Sequence, residues 1–187
     1  MLKAYPNLAN VQTEFIPKGN IAKGQIGENI LRMQYDLPNK EAQSVMLHEL
    51  QHSIQNTEGF ARGGSPESFM DNKTAKEAEM VAKEIKKAQK LKNSGQWLWE
   101  SSPLNEIINS GSAPKNIKDW ASNVINSNKI DEFLSNTPTQ MYKRLAGEAE
   151  ARAVEARMNM TPAQRSQAFP LKSYDVPINE LILRGLL

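Results

Sequence analysis

The stretch AQSVMLHELQHSIQ, which runs from Ala42 to Gln55, contains the pattern H-E-x-x-H at His48, Glu49 and His52. Its apolar residues recur at helical spacing and no proline or glycine interrupts it, so it predicts one continuous helix. Residues four apart on a helix share a face, so the imidazoles of His48 and His52 can reach a single metal ion. Glu49 lies about 100° round the helix, where its carboxylate can contact a water on that metal.

Zinc is the cofactor that this pattern predicts. Neutral imidazoles are zinc ligands, and zinc lowers the pKa of a bound water toward 7, so that a neighbouring carboxylate can take its proton. The chain has only two histidines and no cysteine, so the pattern rarely arises by chance. Catalytic zinc usually has three protein ligands, so the third must be an aspartate or a glutamate, or the site is incomplete. The alternative is a His pair and a glutamate that only pack on an amphipathic helix.

The region that best supplies a third ligand is the alanine-rich helix predicted over Met141–Met158, in the stretch Gly147–Glu155. Small side chains there allow this helix to approach the first one closely. Glu148 and Glu150 point about 200° apart on a helix, so only one of them can face the metal. The spacing favours Glu148 and leaves Glu150 open.

Other residues near these motifs have candidate roles. Glu58, six residues after His52, is either a ligand in a compact alternative site or a residue that orders the turn. Tyr142 precedes Glu148 by about one and a half turns, and it either stabilises an oxyanion or simply packs. The dipeptide Gly63-Gly64 predicts a turn with positive φ.

The rest of the chain predicts an α+β fold. Val11–Ile16 alternates with a period near two and Ile26–Tyr35 is a second short strand, which together give a small N-terminal sheet. A further helix is predicted over 73–92, within a mostly helical insertion at 70–135. We expect residues 1–187 to form a single domain, in which the insertion covers the cleft and sets substrate specificity.

The pairing of these helices resembles the gluzincin metallopeptidases, in which a later helix carrying E-x-E-A follows the H-E-x-x-H helix. Four segments also look like zincin-like domains in large polyvalent proteins of phages and other mobile elements. They are LHELQHSIQ, EGFARGGS, GEAEAR and SYDVP, which begin at Leu47, Glu58, Gly147 and Ser173. The resemblance implies a zincin-like fold, zinc metallopeptidase activity and a protein or peptide substrate.

Transferred residue by residue, the resemblance makes Glu148 the third zinc ligand beside the two histidines, with Glu49 as general base. The position four residues after the ligand glutamate is often Asp or Asn in those families and is Arg152 here. That departure puts the usual hydrogen bond to a ligand histidine in doubt. The resemblance also places the strand Ile26–Tyr35 along the cleft, where a peptide can add to its edge.

Composition disfavours several other classes of protein. With 23 basic and 21 acidic side chains, the net charge of +2 gives no bulk attraction to nucleic acid or to an anionic membrane. The sequence contains no signal peptide and no apolar run of the roughly 20 residues that span a bilayer. We therefore expect a cytoplasmic protein, located in the host cytoplasm or associated with the virion if a phage encodes it.

Two other functions stay open from the sequence alone. One is a catalytically inactive zincin-like module that binds a partner or supports a larger phage or mobile-element protein. The other is a nucleic-acid-associated protein that uses the lysine-rich helix 76–92. The second alternative predicts binding that weakens steeply as salt rises, whereas a peptidase should show no such dependence.

Overall fold

The computed structural model describes residues 3–18, 23–61, 63–69, 71–93 and 130–183, with a few positions between 108 and 122. The chain divides into two compact units. Residues 1–64 and 143–187 form the first unit, and residues 65–142 form the second. The predicted insertion 70–135 belongs to the second unit and lies partly outside the described residues, so its effect on specificity stays a prediction.

A three-stranded sheet lies in the first unit, in the order β1-β3-β2. The strands are β1 (Gln12–Ile16), β2 (Gly24–Gly27) and β3 (Ile30–Gln34). The central strand β3 runs parallel to β1 and antiparallel to β2. It supplies the buried side chains Leu31 and Met33 to the core. Together with the helices, this small sheet confirms the α+β class.

The prediction of one strand over Ile26–Tyr35 is wrong. The chain reverses at Glu28 and Asn29, which have φ values of 49° and 62° and form a two-residue hairpin connection between β2 and β3. Positive φ at both positions matches the right-handed twist of a hairpin. The dipeptide Glu28-Asn29 lacks the glycine that usually marks such a turn. The residue pattern of this segment therefore predicted one continuous strand. As a consequence, β3 is paired on both sides and β2 is an edge of the sheet.

The helix predicted around the H-E-x-x-H pattern is confirmed and is longer than expected. It is α1 (Asn39–Glu58), which begins directly after Pro38. Gly59 ends it in the left-handed conformation, with φ of 67°, and its N–H donates to the carbonyl of Gln55. Glycine adopts this conformation without a Cβ clash, which explains why the helix stops there.

In its described residues, the second unit includes the helices α2 (Asn72–Asn93) and α3 (Ile130–Ser135). The bounds of α2 agree with the helix predicted over 73–92. Its buried face includes Ala78 and Val81. No helix in the parts of the chain that the structure describes is both long enough and apolar enough to cross a membrane.

The single helix predicted over Met141–Met158 is in fact two helices, α4 (Pro138–Arg144) and α5 (Ala146–Ala156). Leu145 separates them with an extended backbone, at φ −56° and ψ 127°. Ile182 causes the break, because its N–H donates to the carbonyl of Arg144 and its carbonyl accepts from the N–H of Ala146. A contact between such distant segments leaves no local signal in the sequence. A further α-helix, α6 (Pro162–Gln167), follows α5.

Small residues allow α5 to lie close to α1, as the sequence suggested. Ala149 and Ala151 are fully buried. The side chain of Gln55 on α1 reaches the backbone of α5, where its Nε2 donates to the carbonyl of Gly147 over 2.8 Å. This close approach brings side chains of α5 beside the two histidines of α1.

Candidate metal centre

Three candidate ligands converge where α1 faces α5. One ligand atom from each of His48, His52 and Glu148 lies within 4.8 Å of the others. Glu148 is only 2% exposed, and its two oxygens lie 3.3 Å from Nε2 of His48 and 3.4 Å from Nε2 of His52. Glu150 faces elsewhere on the helix, where it accepts a hydrogen bond from Gln55. Of the two glutamates that the sequence left open, the structure brings only Glu148 to the histidines.

His48 is oriented by a carboxylate on α5, the helix that also carries Glu148. Its Nδ1 lies 2.5 Å from Oε1 of Glu155, and Ser44 donates from its hydroxyl to the other oxygen of Glu155 over 2.6 Å. Burial alone would raise the pKa of Glu155, but the hydrogen bonds from His48 and Ser44 outweigh it and lower that pKa. An ionised Glu155 therefore accepts from Nδ1 and leaves Nε2 directed at Glu148.

His52 has a neutral partner in the equivalent place. Its Nδ1 lies 2.9 Å from Oε1 of Gln55, one turn further along α1. Both imidazoles thus use Nδ1 for an outer hydrogen bond and present Nε2 to Glu148. Metal-bound histidines in proteins almost always have such an outer partner, which fixes the ring and its tautomer.

The group has the chemistry of a cation site. Two imidazole Nε2 atoms converge on a carboxylate, and such a convergence is favourable only with a proton or a metal ion among them. A His/His/Glu group of this geometry can bind a metal ion. Two histidines and one carboxylate also form a donor set found at catalytic zinc.

Without metal, the cation is a proton on His48. Burial lowers the pKa of His48, but hydrogen bonds and charge interactions with Glu148 and Glu155 outweigh burial and raise it from 6.5 to about 9. A metal ion must displace this proton, since only the neutral imidazole is a ligand.

The stability of the metal-free protein should therefore decrease at alkaline pH. Because the pKa of His48 is higher in the folded state, its contribution is complete below pH 6.5 and disappears as pH rises through about 9. We expect the free energy of unfolding of the chelator-treated protein to fall over this interval, measured by urea denaturation. The variant His48→Gln should lack this part of the decrease. Equal slopes in the two proteins would contradict the prediction.

The loop after α1 closes against the ligands. The N–H of Gly64 donates to Oε1 of Glu148 over 3.0 Å. A Cβ at Gly63 would lie 2.5 Å from Cε1 and 2.9 Å from Nδ1 of His52, and it would also collide with Glu148. The positive φ that the sequence suggested for a turn at Gly63-Gly64 is not found at Gly63. Glycine is needed at position 63 because the backbone there passes close to His52 and Glu148.

Gly63→Ala should weaken the metal site although it changes no ligand. The added methyl group must displace His52 or Glu148, both held by hydrogen bonds, so we expect zinc affinity to fall at least about tenfold. Zinc competition with a fluorescent chelator measures the effect. Gly27→Ala is the matched control, because a Cβ there meets nothing within 4 Å. Equal affinities in the two variants would refute this role of the loop.

Glu49 lies between the histidines and strand β2. Its carboxylate accepts a hydrogen bond from the N–H of Ile26. A Cβ at Gly24 would lie 3.2 Å from Cγ of Glu49, so the strand passes directly beside this side chain. Burial raises the pKa of Glu49 above its usual range, and the nearby imidazoles of His52 and His48 oppose that rise. Glu49 is thus a half-buried carboxylate next to the candidate metal position.

Two other residues considered in the sequence have partners of their own. Glu58 accepts a hydrogen bond from the hydroxyl of Tyr5, and the metal-binding group found among the described residues does not include it. The guanidinium of Arg152 holds Asp175 through Nε and Nη2, at 2.8 and 2.9 Å. Hydrogen bonds from Arg152 lower the pKa of Asp175. Arg152 therefore ties the SYDVP segment to α5. The hydrogen bond to a candidate ligand histidine, which Arg152 cannot accept, is made by Glu155 instead.

Tyr142 belongs to the second unit, at the boundary between the two units within α4. Its predicted role as a donor to an oxyanion stays a prediction, and a Tyr142→Phe variant would test it.

Sequence reasoning missed Gln55 and Glu155, although a periodic signal exists for both. Gln55 lies seven residues after His48, and Glu155 lies seven residues after Glu148. Residues seven apart lie two turns along the same helix face. The faces that α1 and α5 turn toward each other therefore carry both the candidate ligands and their hydrogen-bond partners.

No protein-family model, no curated protein and no solved structure matches this chain. The α+β fold and a His/His/Glu group able to bind a metal ion are therefore findings about this structure alone. Membership of the zincin-like proteins stays a prediction from the sequence motifs.

Proposed function

We propose that this protein is a zinc-dependent metallopeptidase, with His48, His52 and Glu148 as ligands and Glu49 as general base. The convergence of two oriented imidazoles and one buried carboxylate from separate helices carries the proposal. A set of two histidines and one glutamate favours catalytic over structural zinc, because structural sites normally use four protein ligands.

In this proposal the metal site and Glu49 have different roles in peptide hydrolysis. Bound zinc would polarise the substrate carbonyl and allow water to act as a nucleophile at neutral pH. Glu49 would take a proton from the attacking water on its carboxylate and deliver it to the leaving nitrogen as the C–N bond breaks. The position of Glu49 supports this role, because its half-buried carboxylate lies beside the two histidines and strand β2.

We also propose a protein or peptide substrate that adds to the edge of the sheet. The sequence suggested this for the strand Ile26–Tyr35, and the hairpin makes β2 the edge that lies next to Glu49. An extended peptide could bind there through main-chain hydrogen bonds and place one carbonyl near the metal. Such binding would depend little on the identity of the substrate side chains.

Hydrolysis of a peptide mixture by the zinc-reconstituted protein tests the proposal. A tryptic digest of an unrelated proteome would be incubated with the protein, and new peptide termini would be identified by mass spectrometry. We expect cleavage that stops with a chelator and returns when zinc is added. Stoichiometric zinc without cleavage would instead favour the inactive binding module. Failure to bind zinc would refute the metal centre.

A further inference from the structure

We propose that Gln55 is a positioning residue that fixes the tautomer of His52, with Glu150 holding the Gln55 amide in its orientation. This inference rests on the proposed zinc centre for its consequence, which is that His52 binds the metal through Nε2. The geometry of the amide itself carries the argument.

The amide of Gln55 can face only one way. Its side chain is 1% exposed, and its Nε2 lies 2.8 Å from the carbonyl of Gly147 and 2.7 Å from Oε2 of Glu150. Both neighbours are acceptors, so the NH₂ group must point at them. Reversing the amide would bring its oxygen against two other oxygens in a buried place, which is strongly unfavourable. The oxygen Oε1 is therefore directed at His52.

This orientation decides which nitrogen of His52 carries the proton. Oε1 of Gln55 has no proton to donate, and Nδ1 of His52 lies 2.9 Å from it. A hydrogen bond between them requires the proton on Nδ1. Nε2 then keeps its lone pair and faces Glu148, as a ligand nitrogen must. A proton on Nε2 would instead leave Nδ1 and Oε1 as two acceptors in contact.

The same amide also acts on the third ligand. Gly147, whose carbonyl accepts from Gln55, directly precedes Glu148. One buried side chain therefore sets the ring of His52 and the backbone position from which Glu148 extends. Glu150, the glutamate left open as a ligand by the sequence, gains a separate role because its carboxylate can only accept from the amide.

Gln55→Met tests the inference, because methionine keeps much of the volume and removes the donor and acceptor groups. The matched control is Gln51→Met, which makes the same change one turn earlier on α1 at a side chain that is 9% exposed. Long-range proton–nitrogen NMR of His52 reports which nitrogen carries the proton, in the zinc-loaded protein and across a pH series without metal. Competition with a chelator gives the zinc affinity.

We expect the proton of His52 on Nδ1 in wild type and in Gln51→Met, and a mixture of tautomers in metal-free Gln55→Met. Zinc affinity should fall about 10- to 100-fold in Gln55→Met, the range for loss of an outer partner of a ligand, and should be unchanged in Gln51→Met. A smaller decrease of the same kind is expected for Glu150→Gln, whose new amide allows that of Gln55 to turn.

The possible failures can be distinguished. A proton on Nε2 of His52 in the wild-type protein would overturn the inference. This NMR measurement uses only the wild-type protein, so it does not depend on whether a variant folds. A Gln55→Met protein with wild-type tautomer and wild-type zinc affinity would also overturn the inference. If the wild-type protein binds no zinc, the proposed function fails, while the tautomer of metal-free His52 still decides the role of Gln55.

Discussion

The Glu49→Gln protein should bind zinc like wild type and hydrolyse peptides about 10²- to 10⁴-fold more slowly, the usual contribution of a general base. Glutamine has nearly the same shape as glutamate, and its oxygen can still accept from the N–H of Ile26. The amide cannot take a proton from water, so only the chemical step should suffer. Zinc content by mass spectrometry and kcat on a cleaved peptide measure the two effects separately.

The control for this variant is Glu41→Gln in the first turn of the same helix. Glu41 forms an exposed ion pair with Lys23, so its substitution should change neither zinc binding nor rate. Loss of zinc in Glu49→Gln would assign Glu49 to the metal rather than to the substrate water. A wild-type rate with zinc retained would remove Glu49 from the mechanism.

The second large effect concerns the third ligand. Glu148→Ala should lower zinc affinity more than about a hundredfold, because losing a ligand exceeds the 10- to 100-fold effect of losing an outer partner. Glu150→Ala removes one of the two acceptors of the Gln55 amide and no candidate ligand, so its zinc affinity should fall far less than that of Glu148→Ala. Metal content after dialysis against a weak chelator distinguishes the two proteins.

The comparison of the two alanine variants is informative because both residues are glutamates on α5, two positions apart. Circular dichroism of each variant shows whether α5 still forms. Zinc retained in folded Glu148→Ala would contradict the ligand assignment. Zinc lost equally from both folded variants would mean that the Gln55 contact matters as much as the ligand itself.

Local periodicity explains the features that the sequence predicted well. The helix α1 and the meeting of His48, His52 and Glu148 follow from helical spacing, from the small residues of α5 and from the absence of other ligand types. The hairpin at Glu28 and Asn29 was missed because its turn lacks the usual glycine signal. Alternation of polar and apolar residues does not show where a strand reverses.

Features that depend on contacts between distant parts of the chain could not be predicted from the sequence. The break at Leu145 exists because Ile182 bonds to the backbone on either side of it. Likewise, Gly63 is required by the positions of His52 and Glu148, not by its own backbone conformation. Ile182 and Glu148 are far along the chain from Leu145 and Gly63, so no local sequence pattern indicates these contacts.

The pairing of Leu145 with Ile182 has a consequence for the order in which the protein matures. The helix that carries Glu148 begins at Ala146, directly after this pairing. The N–H of Ala146 donates to the carbonyl of Ile182. Long-range closures of this kind form late, because a large loop must be ordered before any contact compensates for it. On the ribosome, the two histidines therefore emerge well before residue 182 is synthesised. In the proposed function, binding of metal is then a late step of biogenesis, because Glu148 joins the two histidines only after this pairing has closed the first unit.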